Sequence, residues 1–275
     1  MGLMSVLPLY PEPGTKRPLR GTYLSLKLHE RSAAQAVYIY GNFIVSLDGR
    51  ISVWDASRAS QRVPLTLANA RDWRLYQELA AQSDVMLTSA RYFRQLAAGC
   101  AQDLLPVAVD DEYEDLREWR KRHGLKDQPD VVILSASLDI PVQTLPRDRK
   151  VWVLTGADAP QHRAKALEQA GACVVRSSGG HVSGWEIRDM LAEEGYRSAY
   201  MIAGPQVHRT LLMDRAINSL FLTHRFRLLG GGNFQTLLEG EIGAPCAVRL
   251  CTLYLDCEPG FEQFYAQYQL CDGRL

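Results

Sequence analysis

The sequence predicts an α/β protein whose central sheet is mixed but mostly parallel, flanked by helices and extended by antiparallel strands. Short β-branched runs alternate with amphipathic helical stretches between Val37 and Ala203, and this alternation is typical of βαβ units. Two of the helical stretches close at Gly171 and Gly195, as helices commonly do. After Ile217 the chain is strand-like with little helix, which favours an antiparallel C-terminal extension.

Each element follows from its own residues. The stretch 37–46 is β-branched and aromatic and is followed by turn residues at 47–50, so we predict a buried strand and its exit. Asn69 is a suitable N-cap for a helix over 69–82. The same reasoning predicts strands at 84–88, 131–135, 151–154, 173–175 and 199–203, helices at 89–98, 111–123, 161–170 and 185–194, and C-terminal strands at 217–226, 247–256 and 261–270.

The alternation assigns residues 37–275 to a single domain. Residues 1–36 are rich in Pro, Gly, Lys and Arg and show no clear periodicity, so we predict an N-terminal arm there. A length of 275 residues is also compatible with two domains at roughly 150 residues each. The continuous βαβ pattern makes the single domain the preferred interpretation.

Charge and composition exclude several classes of protein. Lys+Arg and Asp+Glu are equal at 31 each, which argues against a nucleic-acid binder, since such proteins need excess cations. No apolar run approaches the roughly 18 residues of a membrane span, and we find no basic segment followed by an apolar stretch at the start. We therefore expect a cytoplasmic protein. The six cysteines and six histidines lack disulfide-framework and zinc-site spacing, so we expect reduced thiols and no metal.

Two strand-to-helix turns are candidate anion sites. Gly204 and Pro205 follow an apolar strand and open a helix, where free N–H groups and the helix dipole favour a phosphate. Thr88 and Ser89 occupy a similar position after another strand. In open α/β sheets, ligands lie beyond the carboxyl ends of the strands, so the pairing predicts a shared site. A simple turn at Gly204 and an N-cap at Ser89 remain the alternatives.

The glycine run at 230–232 has two interpretations. It could line a ligand, but three consecutive glycines between strand-like stretches more often mark a flexible turn. No G-x-G-x-x-G spacing occurs, so the sequence lacks a Rossmann fingerprint.

Several segments, in order, resemble one family. They are NFIVSLDGR at 42–50, SDVMLTS at 83–89, VVILSASLDIP at 131–141, VLTGADAP at 153–160, AGP at 203–205 and LLGGG at 228–232. Together they resemble the reductase domain of the bifunctional riboflavin-biosynthesis deaminase/reductase, which has a dihydrofolate-reductase-like fold. The resemblance runs from about Val37 to the C-terminus.

The resemblance implies an NADPH-dependent reductase of 5-amino-6-(5-phosphoribosylamino)uracil, in which hydride passes to the sugar C1 of an open-chain imine. By position, it implies that 204–210 hold the cofactor pyrophosphate, that Val45 contacts the nicotinamide and that Ser135 lies near the adenosine ribose. Asn42 and Asp48 would lie nearest the substrate, in orienting or proton-donating roles. The implied cofactor-binding set is Val45, Thr88, Ser89, Tyr92, Ser135, Gly204, Pro205, Gln206, Val207, His208, Arg209 and Thr210. We also expect a homodimer formed through the C-terminal strands.

The chain departs from the family pattern in four places, two of which are Ala80, where relatives commonly carry Arg, and Ile202, where they often carry an acidic residue. The substrate-contacting Asp-Asp-Pro-x-Leu-x-x-Arg stretch is replaced at 95–106. The segment 135–137 lacks the central Arg that would suit a 2′-phosphate, so NADH stays open beside NADPH. Two alternative functions therefore remain, namely a same-fold reductase of another small carbonyl, imine or pterin-like compound, and a non-catalytic nucleotide-binding protein.

Overall fold

A computed structural model describes residues 4–32, 36–58, 60–101 and 105–271. Parts of the predicted N-terminal arm (1–3 and 33–35), of the altered 95–106 stretch (102–104) and of the predicted domain's end (272–275) lie outside the described residues. The strands are β1 Ser5–Tyr10, β2 Arg17–Pro18, β3 Tyr38–Ser46, β4 Ser52–Asp55, β5 Ser60–Arg62, β6 Val85–Ser89, β7 Asp130–Leu134, β8 Val151–Thr155, β9 Cys173–Arg176, β10 Ser198–Met201, β11 Ser219–Arg225, β12 Phe234–Gln235, β13 Val248–Asp256 and β14 Gln263–Leu270. The helices are α1 Ala70–Ala81, α2 Ala90–Ala97, α3 Glu114–Arg122, α4 Gln161–Gln169, α5 Gly184–Glu193 and α6 Pro205–Met213.

The main sheet confirms the predicted fold class. Its 11 strands run in the order β2-β1-β13-β14-β11-β3-β10-β6-β7-β8-β9. Every neighbouring pair from β11 to β9 is parallel, and every pair from β11 to β2 is antiparallel. Helices connect most of the parallel strands, as in βαβ units, whereas β7 and β8 are joined by a segment with one 3₁₀ turn, Val142–Thr144.

One strand of the predicted antiparallel tail is placed differently. β11 pairs in parallel with β3, for example Ser219 with Tyr40, and only its other edge is antiparallel, to β14. All but one of its residues are buried, which is typical of a strand covered on both faces. The sheet therefore changes from parallel to antiparallel between β11 and β14.

The core lies on both faces of the sheet. Successive residues of a strand point to opposite faces, and Ile39 and Tyr40 of β3 accordingly belong to two different apolar clusters. One cluster contains Leu79 of α1 and Phe93 of α2, and the other contains Leu191 of α5. This layering leaves the carboxyl ends of the strands between the two helical layers.

The described part of the predicted N-terminal arm is integrated into the fold. β1 pairs with β13 at the antiparallel end of the main sheet. Leu19, Tyr23 and Leu28 are almost completely buried. These apolar residues were not identified as core in the sequence because they follow no regular period. A second, three-stranded sheet in the order β12-β4-β5 was also not predicted, since its strands are short and half exposed.

Helix α1 fixes the N-terminal segment through buried polar side chains. Asn69 caps the helix by accepting hydrogen bonds from the backbone of its first turn. The Glu78 carboxylate accepts hydrogen bonds from the N–H groups of Gly21 (2.6 Å) and Tyr23 (2.9 Å). The Gln82 side chain donates to the Tyr23 carbonyl at 2.9 Å. The segment is therefore held by directional bonds as well as by apolar burial.

Arg71 of the same helix joins β1 and β13. Its guanidinium makes a bidentate pair with Asp256 and donates to the Ser5 carbonyl at 2.8 Å. The Arg71 and Asp256 side chains are only 5% and 0% exposed. Removing one partner of such a pair costs much stability, because the charge of the other partner stays buried without compensation.

Two further observations concern the cysteines and membrane-spanning helices. All six cysteines are free thiols. Within the described ranges, we find no helix long and apolar enough to cross a membrane.

We expect Asp256→Ala to lower the free energy of unfolding by about 3 to 5 kcal/mol, because Arg71 would keep a buried charge without its partner. Glu112→Ala removes an exposed pair with Arg20 and should cost less than about 1 kcal/mol. Urea unfolding followed by circular dichroism measures both. Equal losses in the two variants would contradict the assignment of Arg71–Asp256 as a buried anchor.

Candidate active site

A cavity of about 720 Å³ lies at the carboxyl ends of the parallel strands. Asn42 of β3, Thr88 of β6 and Gly204 after β10 line it. These three strands are neighbours in the sheet. Ligands of open α/β sheets bind at this edge, so the position agrees with the site predicted from the two strand-to-helix turns.

Helices α1 and α2 and the three-stranded sheet form the remaining walls of the cavity. α1 contributes Asp72, Trp73 and Tyr76, and the rings of Trp73 and Tyr76 stack with centroids 4.8 Å apart. The three-stranded sheet contributes Ser52 and Gln235. The cavity thus lies between the parallel strand ends on one side and a sheet that was not predicted on the other.

The amino end of α6 faces this cavity. Gly204 is the N-cap residue with φ −74° and ψ −173°, and Pro205 occupies the first turn. The residues from Gly204 to Val207 line the cavity, and a Cβ added at Gly204 would meet no atom within 4 Å. First-turn N–H groups have no acceptor within their own helix, so an anion could be received here.

Most of the predicted cofactor-binding residues near the strand ends are brought together. Thr88, Ser89 and Tyr92 line the cavity along with Gln206 and Val207. Ser89 also stands at the N-cap position of α2, but its side chain makes no capping hydrogen bond. The Ser89 hydroxyl is therefore not committed to the helix backbone.

The later residues of α6 do not line the cavity. His208 donates from Nδ1 to the Leu237 carbonyl at 2.8 Å, and burial lowers the pKa of this imidazole. Arg209 donates from Nε to the Glu241 carbonyl at 2.7 Å. The Thr210 hydroxyl donates to a carbonyl one turn earlier in the helix. These contacts hold the segment 237–241 against α6. The His208 ring also lies 5.1 Å from the ring of Phe43, which lines the cavity.

Two further predicted residues also lie outside the lining. Val45 is buried in β3 and is paired with His224 of β11. The Ser135 hydroxyl accepts a hydrogen bond from the Leu138 N–H at 3.0 Å. Its side chain thereby stabilises the turn after β7.

Asp48 anchors a turn and does not line the cavity. Its carboxylate accepts hydrogen bonds from the Ser46 hydroxyl (2.5 Å) and from the N–H groups of Leu229 (3.1 Å) and Gly230 (2.9 Å), and it pairs with Arg50. The Ser46 hydrogen bond, followed by those from the two N–H groups and the Arg50 charge, holds the pKa of Asp48 well below its usual range. At neutral pH this carboxylate is ionised and has no proton to donate.

The glycine run forms the turn that Asp48 binds. Gly230 and Gly231 adopt φ of +64° and +87°, a region that favours glycine. The Gly231 carbonyl accepts a hydrogen bond from Arg50 at 2.9 Å. None of these glycines lines the cavity in the described part of the chain.

Asp72 is a cavity residue that the sequence analysis did not identify. Burial raises the pKa of this carboxyl to about 6, against the opposing effects of a hydrogen bond from Thr223 and the charge of Arg225. The Thr223 hydroxyl lies 2.5 Å from the Asp72 carboxylate. An acidic residue in the first turn of a helix is ordinary, so the sequence carried no signal for this role.

Basic side chains dominate the charge of the cavity. Arg58, Arg62, Arg91 and Arg94 line it, and Asp72 is the one carboxylate among the described lining residues. Arg62 and Arg94 lie 3.7 and 3.9 Å from Asp55 and Asp139, so the excess of positive charge comes mainly from Arg58 and Arg91. Such a field attracts anionic ligands.

Comparison with known proteins identifies the family. The model of the RibD C-terminal domain matches residues 37–252. The chain belongs to this family. The RibD C-terminal domain is the reductase part of riboflavin biosynthesis, and the resemblance inferred from the sequence is confirmed.

Solved structures show the same fold as this RibD C-terminal domain. A pyrimidine reductase-like protein from Corynebacterium diphtheriae has 18% identity and a TM-score of 0.67, with 86% of this chain and 92% of that chain covered. RibD of Acinetobacter baumannii has 14% identity and a TM-score of 0.61, with 86% and 59% covered. The riboflavin biosynthesis reductase Rib7 of Saccharomyces cerevisiae has 16% identity and a TM-score of 0.54, with 91% and 99% covered. The chain therefore spans about three-fifths of the length of the Acinetobacter baumannii RibD chain.

We expect Asp48→Asn to lower the thermal stability at pH 7, because a carboxylate with a depressed pKa stabilises the fold only while it is ionised. The difference from the wild type should shrink as the pH falls below about 4, where the unfolded chain's carboxyl takes up its proton. Thermal unfolding between pH 3 and 7 measures this, and amide exchange at Leu229 and Gly230 should accelerate. Asp148→Asn changes an exposed carboxylate and serves as the control. A constant difference at all pH values would refute the anchoring role.

Proposed function

We propose that this RibD C-terminal domain is an NADPH-dependent reductase that converts 5-amino-6-(5-phosphoribosylamino)uracil into its ribitylamino product. The observation that carries the proposal is a cationic cavity in which the amino end of α6 and the protonatable carboxyl of Asp72 line the same space. Reduction of an imine needs a bound hydride donor and a proton source. The amino end of α6 would bind the hydride donor, and Asp72 would supply the proton.

The residues around the α6 turn fit a dinucleotide phosphate. Gly204 leaves open space above its Cα, so a pyrophosphate could approach the first-turn N–H groups. Arg91 and Arg94 on α2 add positive charge in the same cavity, and Thr88 and Ser89 offer hydroxyls to the nucleotide. NADPH, when bound, supplies a hydride to the sugar C1 of the open-chain imine.

Asp72 is the residue that we propose as the proton donor. When hydride adds to C1, the electron pair of the C=N bond moves to nitrogen, which then needs a proton. A carboxyl with a pKa of about 6 keeps a protonated fraction near neutral pH and so suits a general acid. The Thr223 hydroxyl, 2.5 Å from the Asp72 carboxylate, holds this carboxyl in its orientation. Asn42, on the facing strand end, would orient polar groups of the substrate, whereas we assign Asp48 to the turn.

The altered 95–106 stretch supports a second candidate function. Gln95 and Cys100 line the cavity, in the stretch where the family pattern carries Asp-Asp-Pro-x-Leu-x-x-Arg. Uncharged side chains there favour a smaller or less polar substrate, and a same-fold reductase of another carbonyl or imine would retain the cofactor side of the site. NADPH oxidation measured with the ribosylaminopyrimidine phosphate, and then with simpler imines and pterins, distinguishes the two.

Gly204→Leu should weaken NADPH binding by about tenfold or more, equivalent to about 1.4 kcal/mol of binding free energy. The added side chain would occupy the cavity next to the first-turn N–H groups. Because φ at this residue is ordinary, the melting temperature should fall only by the small cost of a poorer N-cap residue. Tryptophan fluorescence quenching gives the affinity, and a parallel NADH titration gives the cofactor preference. Gly180→Leu is the matched control, because a Cβ added at Gly180 would also meet no atom within 4 Å and this glycine lies outside the cavity lining. Unchanged NADPH affinity in the Gly204 variant would remove the α6 turn from the site.

Asp72→Asn should reduce kcat by about 10²- to 10⁴-fold, the usual contribution of a general acid, while NADPH affinity stays near the wild-type value. In the wild type, kcat should decline as the pH rises through about 6, because the acid loses its proton, and the variant should lack this decline. Thr223→Val removes a hydrogen bond that lowers the pKa and should move the decline to higher pH. Asp48→Asn should keep kcat within a few-fold of the wild type. A large loss in Asp48→Asn together with an active Asp72→Asn would reverse the assignment.

A further inference from the structure

A second cluster of polar side chains lies away from the cavity. His29 and Glu30 belong to the 3₁₀ turn Leu28–Glu30, and His123 is the residue that follows α3. One donor atom from each of the three lies within 4.8 Å of the others. None of them lines the cavity. Because the two histidines are far apart in sequence, spacing alone could not reveal the cluster.

His29 has one ring nitrogen without a partner in the described part of the chain and the other close to Glu30. Its side chain is only 4% exposed, and Nδ1 is buried with no hydrogen-bond partner among the described residues. Nε2 lies 3.4 Å from Oε1 of Glu30. Buried polar groups in folded proteins are almost always satisfied, and an orphaned one needs an explanation such as a bound ion or water.

His123 is already oriented as a metal ligand would be. Its Nδ1 donates to the Trp119 carbonyl at 2.8 Å, which leaves the lone pair on Nε2. The Trp119 ring stacks on the imidazole with centroids 4.0 Å apart. Metal-binding histidines almost always donate their second ring nitrogen to such an acceptor, because this fixes the tautomer and the ring.

Glu30 supplies negative charge and freedom to move. Its side chain is half exposed, with Oε1 towards His29 and Oε2 3.5 Å from the ammonium group of Lys27. Zinc ligands must approach to about 2.0–2.2 Å from the ion, which is closer than the present spacing allows. The exposed carboxylate can make most of that adjustment without disturbing the core.

We propose that His29, Glu30 and His123 bind one Zn²⁺ ion, with solvent as the fourth ligand. Imidazole nitrogens with a carboxylate favour zinc over magnesium or calcium, which prefer oxygen ligands. The ion would join the turn at 28–30 to the end of α3. It would therefore act as a clip that holds the N-terminal segment onto the domain. Asp84 and Arg197, which act electrostatically on His29, precede β6 and β10, so the clip lies at the opposite strand ends from the cavity.

The test uses the full chain after treatment with a chelator. Calorimetric titration with Zn²⁺ should give one site per chain, and the melting temperature should rise with Zn²⁺ because the ion binds the folded state. Glu30→Gln and His123→Gln should each weaken Zn²⁺ binding by at least about tenfold. His162→Gln, an exposed histidine on α4, is the matched control and should bind as the wild type does.

Cobalt substitution separates this cluster from the free cysteines. Co²⁺ held by two imidazoles and a carboxylate should show visible absorption bands of a four-coordinate ion without intense near-ultraviolet thiolate bands. Glu30→Gln changes an exposed residue and should fold normally, as circular dichroism and NADPH binding can verify. The absence of Zn²⁺ binding, thiolate bands with Co²⁺, or wild-type affinity in both variants would each overturn the proposal.

Discussion

The structure depends on helix α1, because polar side chains along this helix pair with buried polar groups of neighbouring segments. Arg71 reaches Asp256 in β13, and Glu78 and Gln82 bind backbone groups of the N-terminal segment. A small shift of the helix would leave several of these groups buried and unpaired, which costs more than the bonds contribute. The same helix carries Asp72 into the cavity. The position of the proposed acid is thus set by contacts that take no part in chemistry.

The sequence was sufficient for the parallel half of the fold because its signals are local. Hydrophobic runs and helix-ending glycines placed the strands from β6 to β10, and Asn69 correctly marked the start of α1. Three features depend on distant partners and were not predictable: the pairing of β1 with β13, the parallel edge of β11, and the small sheet of β4, β5 and β12. Strand direction in particular leaves little trace in composition when both faces are buried.

The residues of the candidate site likewise fall into those that the sequence could predict and those that it could not. Gly204 could be recognised because a helix start after a buried strand is visible in a few adjacent residues. Asp72 could not, because its pKa is raised by burial against the opposing hydrogen bond from Thr223, and both depend on parts of the chain that are distant in sequence. The directions of His208 and Arg209 likewise depend on the carbonyls of 237–241. Family resemblance supplied positions along the chain, whereas side-chain direction required the structure.

The pairing of β1 with β13 has a consequence for synthesis on the ribosome. β1 pairs with the nearby β2 on one edge, but its partner on the other edge, β13, is separated from it by the elements from β2 to β12. Segment 5–10 must therefore wait, with one edge unpaired, until β13 has been made. Contacts of such long sequence separation slow folding. The antiparallel end of the sheet is consequently expected to close last, after the parallel strands have formed their core.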